Sequence, residues 1–138
     1  MKSNRVLLTL FALGLILALV AGCGNDSNNT LAPFQPEIIN ETDTFQFQIT
    51  DAVDVTTIVE YVWQNSGTQA TVNHSSVIDA GYASITILDA QQTEVYSGSL
   101  VASANETTNA GAAGAWTIQV ALMDCSGTLN FRVETFTP

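Results

Sequence analysis

The feature that most restricts what this chain can fold into is a period-two alternation in its last third. Trp116, Ile118, Val120 and Leu122 alternate with Thr117, Gln119 and Ala121. A few residues on, Leu129, Phe131 and Val133 alternate with Asn130, Arg132 and Glu134. Successive side chains of a strand point to opposite faces, whereas a helix would scatter these residues around its axis. Both segments are therefore strands with one buried face. The apolar positions are even-numbered before Met123 and odd-numbered after Thr128, so something between them inverts the phase. Asp124-Cys125-Ser126-Gly127 has the composition of a type I turn, with Asp first and Gly fourth. A four-residue loop there pairs Met123 with Thr128, Leu122 with Leu129, Val120 with Phe131 and Ile118 with Val133, and keeps both apolar rows on one face. A three-residue loop would expose one row. The expectation is a hairpin with a four-residue loop.

Upstream, the same alternation recurs in weaker form. Phe45, Phe47 and Ile49 alternate with Thr44, Gln46, Gln48 and Thr50. After Asp51-Ala52, residues 53–64 form a longer run, with Val59, Tyr61 and Trp63 on one face and Ile58 and Val62 on the other. Two apolar faces suggest a central strand, or one that bends between two sheets. Asn65-Ser66-Gly67 reads as a turn, 69–75 as a weaker strand, 83–89 and 95–102 as short strands, and 103–114 as an exposed Ala/Asn/Thr/Gly loop with room for a short edge strand. No segment after Val20 has a helical period. The fold class expected is all-β: a two-sheet antiparallel β-sandwich, jelly-roll-like, of about seven or eight strands.

The N-terminus is of another kind. Lys2 and Arg5 precede Val6 to Val20, an uncharged stretch too short to span a bilayer comfortably. Val20-Ala21-Gly22-Cys23 follows. It resembles the bacterial lipobox, which implies cleavage before Cys23 and lipidation of its thiol; small residues admit the backbone to a protease groove and the thiol accepts the acyl group. Gly24, in place of Asp after the cysteine, leans toward the outer membrane over the inner one. The division expected is a signal peptide at 1–22, a lipidated Cys23 with a flexible tether at 23–43, and a β-sandwich at 44–138. The tether rests on a small polar stretch at 24–30 and on Pro33 and Pro36.

Without residues 1–22, a single basic residue, Arg132, stands against all thirteen acids, a net charge near −12. Such a surface repels phosphate backbones, so nucleic acid is excluded as a partner. With Cys23 acylated, Cys125 is the one thiol left and has no intramolecular disulfide partner.

Four stretches, Gly81 to Asp89, Glu94-Val95-Tyr96, Gly114 to Val120 and Ser126 to Val133, together resemble the bacterial pre-peptidase C-terminal domain and its jelly-roll relatives. The shared pattern is a strand ending in Asp, a turn, and a later Gly-aromatic strand hairpinned through a Ser-Gly turn. The resemblance implies a non-catalytic module of a secreted protein, concerned with binding or secretion. Ala83 stands where that family often has an acidic residue, which speaks against an inherited calcium site.

The residues point to no reaction. There is no nucleophile elbow, phosphate loop or dinucleotide fingerprint, and His74 is the one histidine, read as structural or exposed. No catalytic residue, cofactor or resident metal is assigned; Asp51 and Asp54 are weak calcium candidates at a strand end. Tyr82, Trp63 and Cys125 are the candidate binding surface, Tyr82 foremost because it adjoins Gly81, while Trp116 shares the apolar phase of its strand and belongs to the core. The function expected is that of an extracytoplasmic lipoprotein of the cell membrane or outer membrane. Its sandwich would be a structural module or bind an envelope protein or glycan. The alternative is a calcium-dependent carbohydrate-binding or hydrolase-associated domain.

Overall fold

The computed structural model describes residues 31–138. The lipobox-like stretch, the expected lipidation site Cys23 and the first part of the expected tether lie outside the described residues. What is described is almost entirely β and antiparallel: β1 (Glu37–Glu41), β2 (Thr44–Asn65), β3 (Ala70–His74), β4 (Val77–Leu88), β5 (Glu94–Ser99), β6 (Ala104–Thr107) and β7 (Gly114–Thr135), preceded by a single 3₁₀ turn at Ala32–Phe34. The strand order is β1-β2-β7-β3-β6, with β4 on the other stretch of β7 and β5 beyond it.

Two strands of 22 residues make the fold. β2 and β7 pair along their whole lengths, from Thr44 opposite Glu134 to Asn65 opposite Gly114. A straight strand rises about 3.3 Å per residue, which would separate Phe47 from Tyr61 by roughly 45 Å. Yet the Tyr61 ring centroid lies 5.3 Å from Phe45 and 5.9 Å from Phe47. The ribbon is therefore bent double and its two halves face each other. One layer holds β1, the first half of β2, the second half of β7, β3 and β6; the other holds the second half of β2, the first half of β7, β4 and β5. Phe45, Phe47, Phe131, Trp63, Trp116, Ile85, Ile87 and Ile118 fill the space between them. The sandwich expected for this chain is thus formed, partly by strands that belong to both layers.

The hairpin expected at Asp124–Gly127 does not exist. β7 continues unbroken through that tetrapeptide, and its partner is β2 rather than its own second half. The phase inversion comes from one extra residue. Leu122 and Cys125 are both buried with Met123 and Asp124 exposed between them, so a single bulge moves the apolar row from even to odd positions. In β2 the buried positions step by three twice, Ile49 to Ala52 to Val55. Two bulges restore the original parity, which is why residues 45–63 show one odd-numbered phase and no sign of the bend.

All these irregularities lie at one level of the sheet, the corner where the ribbon turns. Positive φ values occur there at Asp51 (53°), Asp54 (49°), Asp124 (45°), Gly81 (74°) and Gly127 (135°). Asp tolerates the left-handed region better than most residues. Side chains fasten the bulges across strands: the Asp54 N–H donates to Ser126 Oγ at 2.9 Å, the Asp124 N–H to Thr56 Oγ1 at 2.8 Å, and Thr56 Oγ1–H to Asp124 Oδ1 at 3.0 Å.

Residues 31–43, expected within the tether, belong to the domain instead. Leu31 is buried, Phe34 packs on the core, and Glu37–Glu41 pairs with β2 as an edge strand. Pro33 and Pro36 bar a long helix but not an edge strand that begins after them.

Candidate functional site

On the outward face of the second layer, Thr56, Ile58, Glu60 and Val62 project from β2, Thr117, Gln119, Ala121 and Met123 from β7, and Tyr82, Ser84 and Thr86 from β4. Register decides what shape these make. Ala121 lies opposite both Ile58 and Ser84, and Met123 opposite Tyr82. Two small side chains flanked by three large ones leave a shallow groove of about 310 Å³. Its rims are apolar and open to solvent: Ile58 is 65% exposed, Met123 62% and Tyr82 46%. Isolated exposed apolar residues are ordinary, but a row spanning three adjacent strands is a contiguous patch. Beside it the Gln119 amide donates to the Glu60 carboxylate at 2.8 Å, so the one acid on this stretch of β2 is drawn toward β7.

Of the residues singled out in the sequence, Tyr82 stands on the groove. Trp63 and Cys125 do not present a surface: both are fully buried. Trp63 is odd-numbered in an odd apolar phase, its indole N–H donates to the Glu41 carbonyl at 3.0 Å, and it meets Trp116 edge-on at 5.9 Å between centroids. Trp116 is buried, as its phase requires. Cys125 is the inward residue just after the β7 bulge rather than the tip of a hairpin, and burial pushes its thiol pKa up. Asp51 and Asp54 are bulge residues with their backbone N–H groups tied to Thr128 and Ser126. Among the described residues no group of three or more His, Cys, Asp or Glu side chains converges as a metal site would need.

His74 is buried at the end of β3, opposite Phe131 on one side and Ala104 on the other. Its Nδ1 has no hydrogen-bond partner. Desolvation lowers its pKa, against a smaller upward pull from Glu106. Asp89 is also enclosed. Its Oδ1 accepts the N–H groups of Gln91 and Thr93 at 2.9 Å each and its Oδ2 that of Ala112 at 2.8 Å, which fastens the β4–β5 turn to the segment before β7. Those donors hold its carboxyl below the usual range. Asp43 is held down likewise, first by the Thr135 hydroxyl and then by Ser66.

Ile58 and Met123 were not among the expected site residues. Ile58 had a signal, the second apolar face of residues 53–64. Met123 had one too: it continues the outward phase of Thr117, Gln119 and Ala121, ahead of the bulge.

No family model matches the chain, and no curated protein matches it. Among solved structures, a chain of the "Glycosylation Associate Protein (Gap123) complex" from Streptococcus agalactiae aligns over 75% of this chain at 11% identity, with a TM-score of 0.39. The present chain spans 40% of that protein's length.

Proposed function

We propose that this protein is a lipid-anchored component of the cell envelope whose β-sandwich acts, without catalysis, as a docking module for another envelope protein. The observation that carries the reading is the groove between Ile58, Met123 and Tyr82. Its floor and rims offer methyl, thioether and aromatic groups and few hydrogen-bonding atoms. Apolar side chains of a partner protein are recognised by such a surface. A glycan is the less favoured occupant, because the groove offers its hydroxyls few partners. The anchor is supported by Val20-Ala21-Gly22-Cys23 in the sequence.

The test is photo-crosslinking in intact cells with the probe at Tyr82, and with Gln48 on the outer face of the opposite layer as the control position. A single dominant protein adduct at Tyr82 and none at Gln48 is expected. A glycan adduct, or equal labelling at both positions, would refute the docking groove. The anchor is tested separately: Cys23→Ala should abolish partition into the detergent phase, and retention there would refute the lipid anchor.

A further inference from the structure

Beyond Ile49, β2 has β7 on one side and, among the described residues, no strand on the other. From Thr57 to Asn65 its pairing with β7 is regular, so backbone groups alternate strictly between the β7 side and the free side. Which residues face outward follows from the hydrogen bonds. Asn40 Nδ2 donates to the Val62 carbonyl at 3.0 Å, and the Asp43 N–H to the Gln64 carbonyl at 2.8 Å, both approaching from the side away from β7. Even-numbered residues of β2 therefore turn their N–H and C=O groups outward. The opposite flank agrees: the Leu100 N–H reaches the Ala83 carbonyl on the β5 side, so Ser84 faces β7, Ala121 faces β4, Leu122 faces β2, and Thr57 faces β7. The capping by Asn40 and Asp43 begins at Val62. Ile58 and Glu60 remain with open N–H and C=O groups, in a stretch, Thr56-Thr57-Ile58-Val59-Glu60-Tyr61-Val62, that has no Pro, Gly or Lys to block strand addition.

We propose that this edge receives an extended segment of another protein as an added antiparallel strand, and that the segment is apolar and β-branched in the middle and basic at its ends. The charges choose the occupant. Asp51 stands at one end of the open stretch and Glu41 at the other; Asp54 and Asp43 add charge beside them, although their carboxylates are turned to Ser126 and to Ser66 and Thr135. The single described cation, Arg132, is on the other layer, opposite Gln46. A second copy of this chain paired two-fold about Val59 would set each Asp51/Asp54 end against the other copy's Glu41/Asp43 end, a like-charge contact. A Lys- or Arg-flanked strand meets opposite charge at both ends. The proposal rests on the backbone of β2 and not on the groove, so it stands or falls independently of the Tyr82 crosslink.

The probe is a synthetic peptide of about nine residues, alternating Val and Thr with Lys at both ends, titrated onto the full-length chain in detergent; its twin carries Glu at both ends. Amide hydrogen exchange is the first readout. In the free chain Ile58 and Glu60 should exchange fast and Thr57, Val59 and Tyr61 slowly; the Lys peptide should slow Ile58 and Glu60. It should bind roughly tenfold or more tighter than its twin at low salt, the margin shrinking as salt screens the ends. Ile58→Pro removes an outward N–H and leaves the β7 ladder intact, so it should abolish binding, whereas Ile58→Ala, which trims the groove rim but keeps that N–H, should bind the Lys peptide like the parent chain. If that variant does not fold, Asp51→Asn/Asp54→Asn/Glu41→Gln should erase the preference for Lys while preserving the backbone. Equal binding of both peptides, no binding of either, or full binding to Ile58→Pro would overturn the proposal. So would slow exchange of Ile58 in the free chain: concentration-dependent slowing would assign the edge to a second copy, and concentration-independent slowing to a segment of this chain.

Discussion

Gly127→Ala tests whether residues 123–128 are a rigid corner of a continuous strand or a surface turn. Gly127 has φ of 135°, a region essentially restricted to glycine, and lies opposite Ala52 and Ile78. A Cβ built there would collide with the Val77 carbonyl oxygen and come within 3.0 Å of the Ile78 Cα, both backbone atoms of β4. Rotating a side chain cannot relieve that contact, so β4 would have to leave β7 at the corner. Backbone strain costs about 1–3 kcal/mol, and each ladder hydrogen bond lost costs about 1 kcal/mol more. With about two bonds disturbed, the total is roughly 3–5 kcal/mol, a large part of an ordinary stability. Urea unfolding followed by tryptophan fluorescence is the assay, since Trp63 and Trp116 touch in the core and report its opening. The comparison variant is Gly98→Ala. There the new methyl would meet the Tyr96 side chain, hydroxyl at 2.6 Å, whose far end can move, and the expected cost is about 1 kcal/mol or less. At the last position of a type I turn, where Gly is favoured but not required, Ala would also be tolerated. A Gly127→Ala cost no larger than that of Gly98→Ala would therefore refute the corner.

Further predictions concern titratable groups and the thiol. His74 is neutral in its buried site and its pKa is lowered on folding, so the unfolded chain binds the extra proton. Stability should fall as pH drops below about 6.5 and level off once the folded-state pKa is passed; His74→Leu should flatten that part of the urea-midpoint profile, and an unchanged slope would exclude His74 as its source. Asp43 and Asp89 act in a separate window. Their folded pKa values lie below 3.8, so their contribution is complete above that pH and is lost as pH falls through the lowered values. Asp89→Asn should weaken the acid limb while leaving the His74 region alone, and a change confined to neutral pH would contradict this. Cys125, buried and with a raised pKa, should react with a soluble thiol reagent at the rate of global opening. Labelling of the native protein as fast as of a free thiol would place it at the surface.

Much of the fold was legible in the residues. Alternation marked Phe45–Ile49, Trp116–Leu122 and Leu129–Val133 as half-buried strands, and the side chains it assigned to the core are there: Phe45, Phe47, Trp116, Ile118, Phe131 and Val133. The weak strand at 69–75 and the short edge strand within 103–114 formed as β3 and β6. The groove was less legible. Tyr82 was noticed beside Gly81, but Ile58, Ala121 and Met123 join it through two inter-strand registers that no local pattern records.

What the amino-acid sequence determines by itself is the face each residue presents, because burial selects side chains one by one along a strand. Only the tertiary structure decided which backbones pair. A shift from even to odd phase between Leu122 and Leu129 is satisfied equally by a four-residue turn and by one bulge, and two bulges in β2 cancel and leave no trace. The choice was made by seventeen residues of β2 lying opposite partners 49 to 90 positions away. The same nonlocal pairing leaves one flank of β2 open at Ile58 and Glu60. A hairpin is a local decision written in its turn residues, whereas a doubled ribbon is stable only when both strands and the layer each faces are present together.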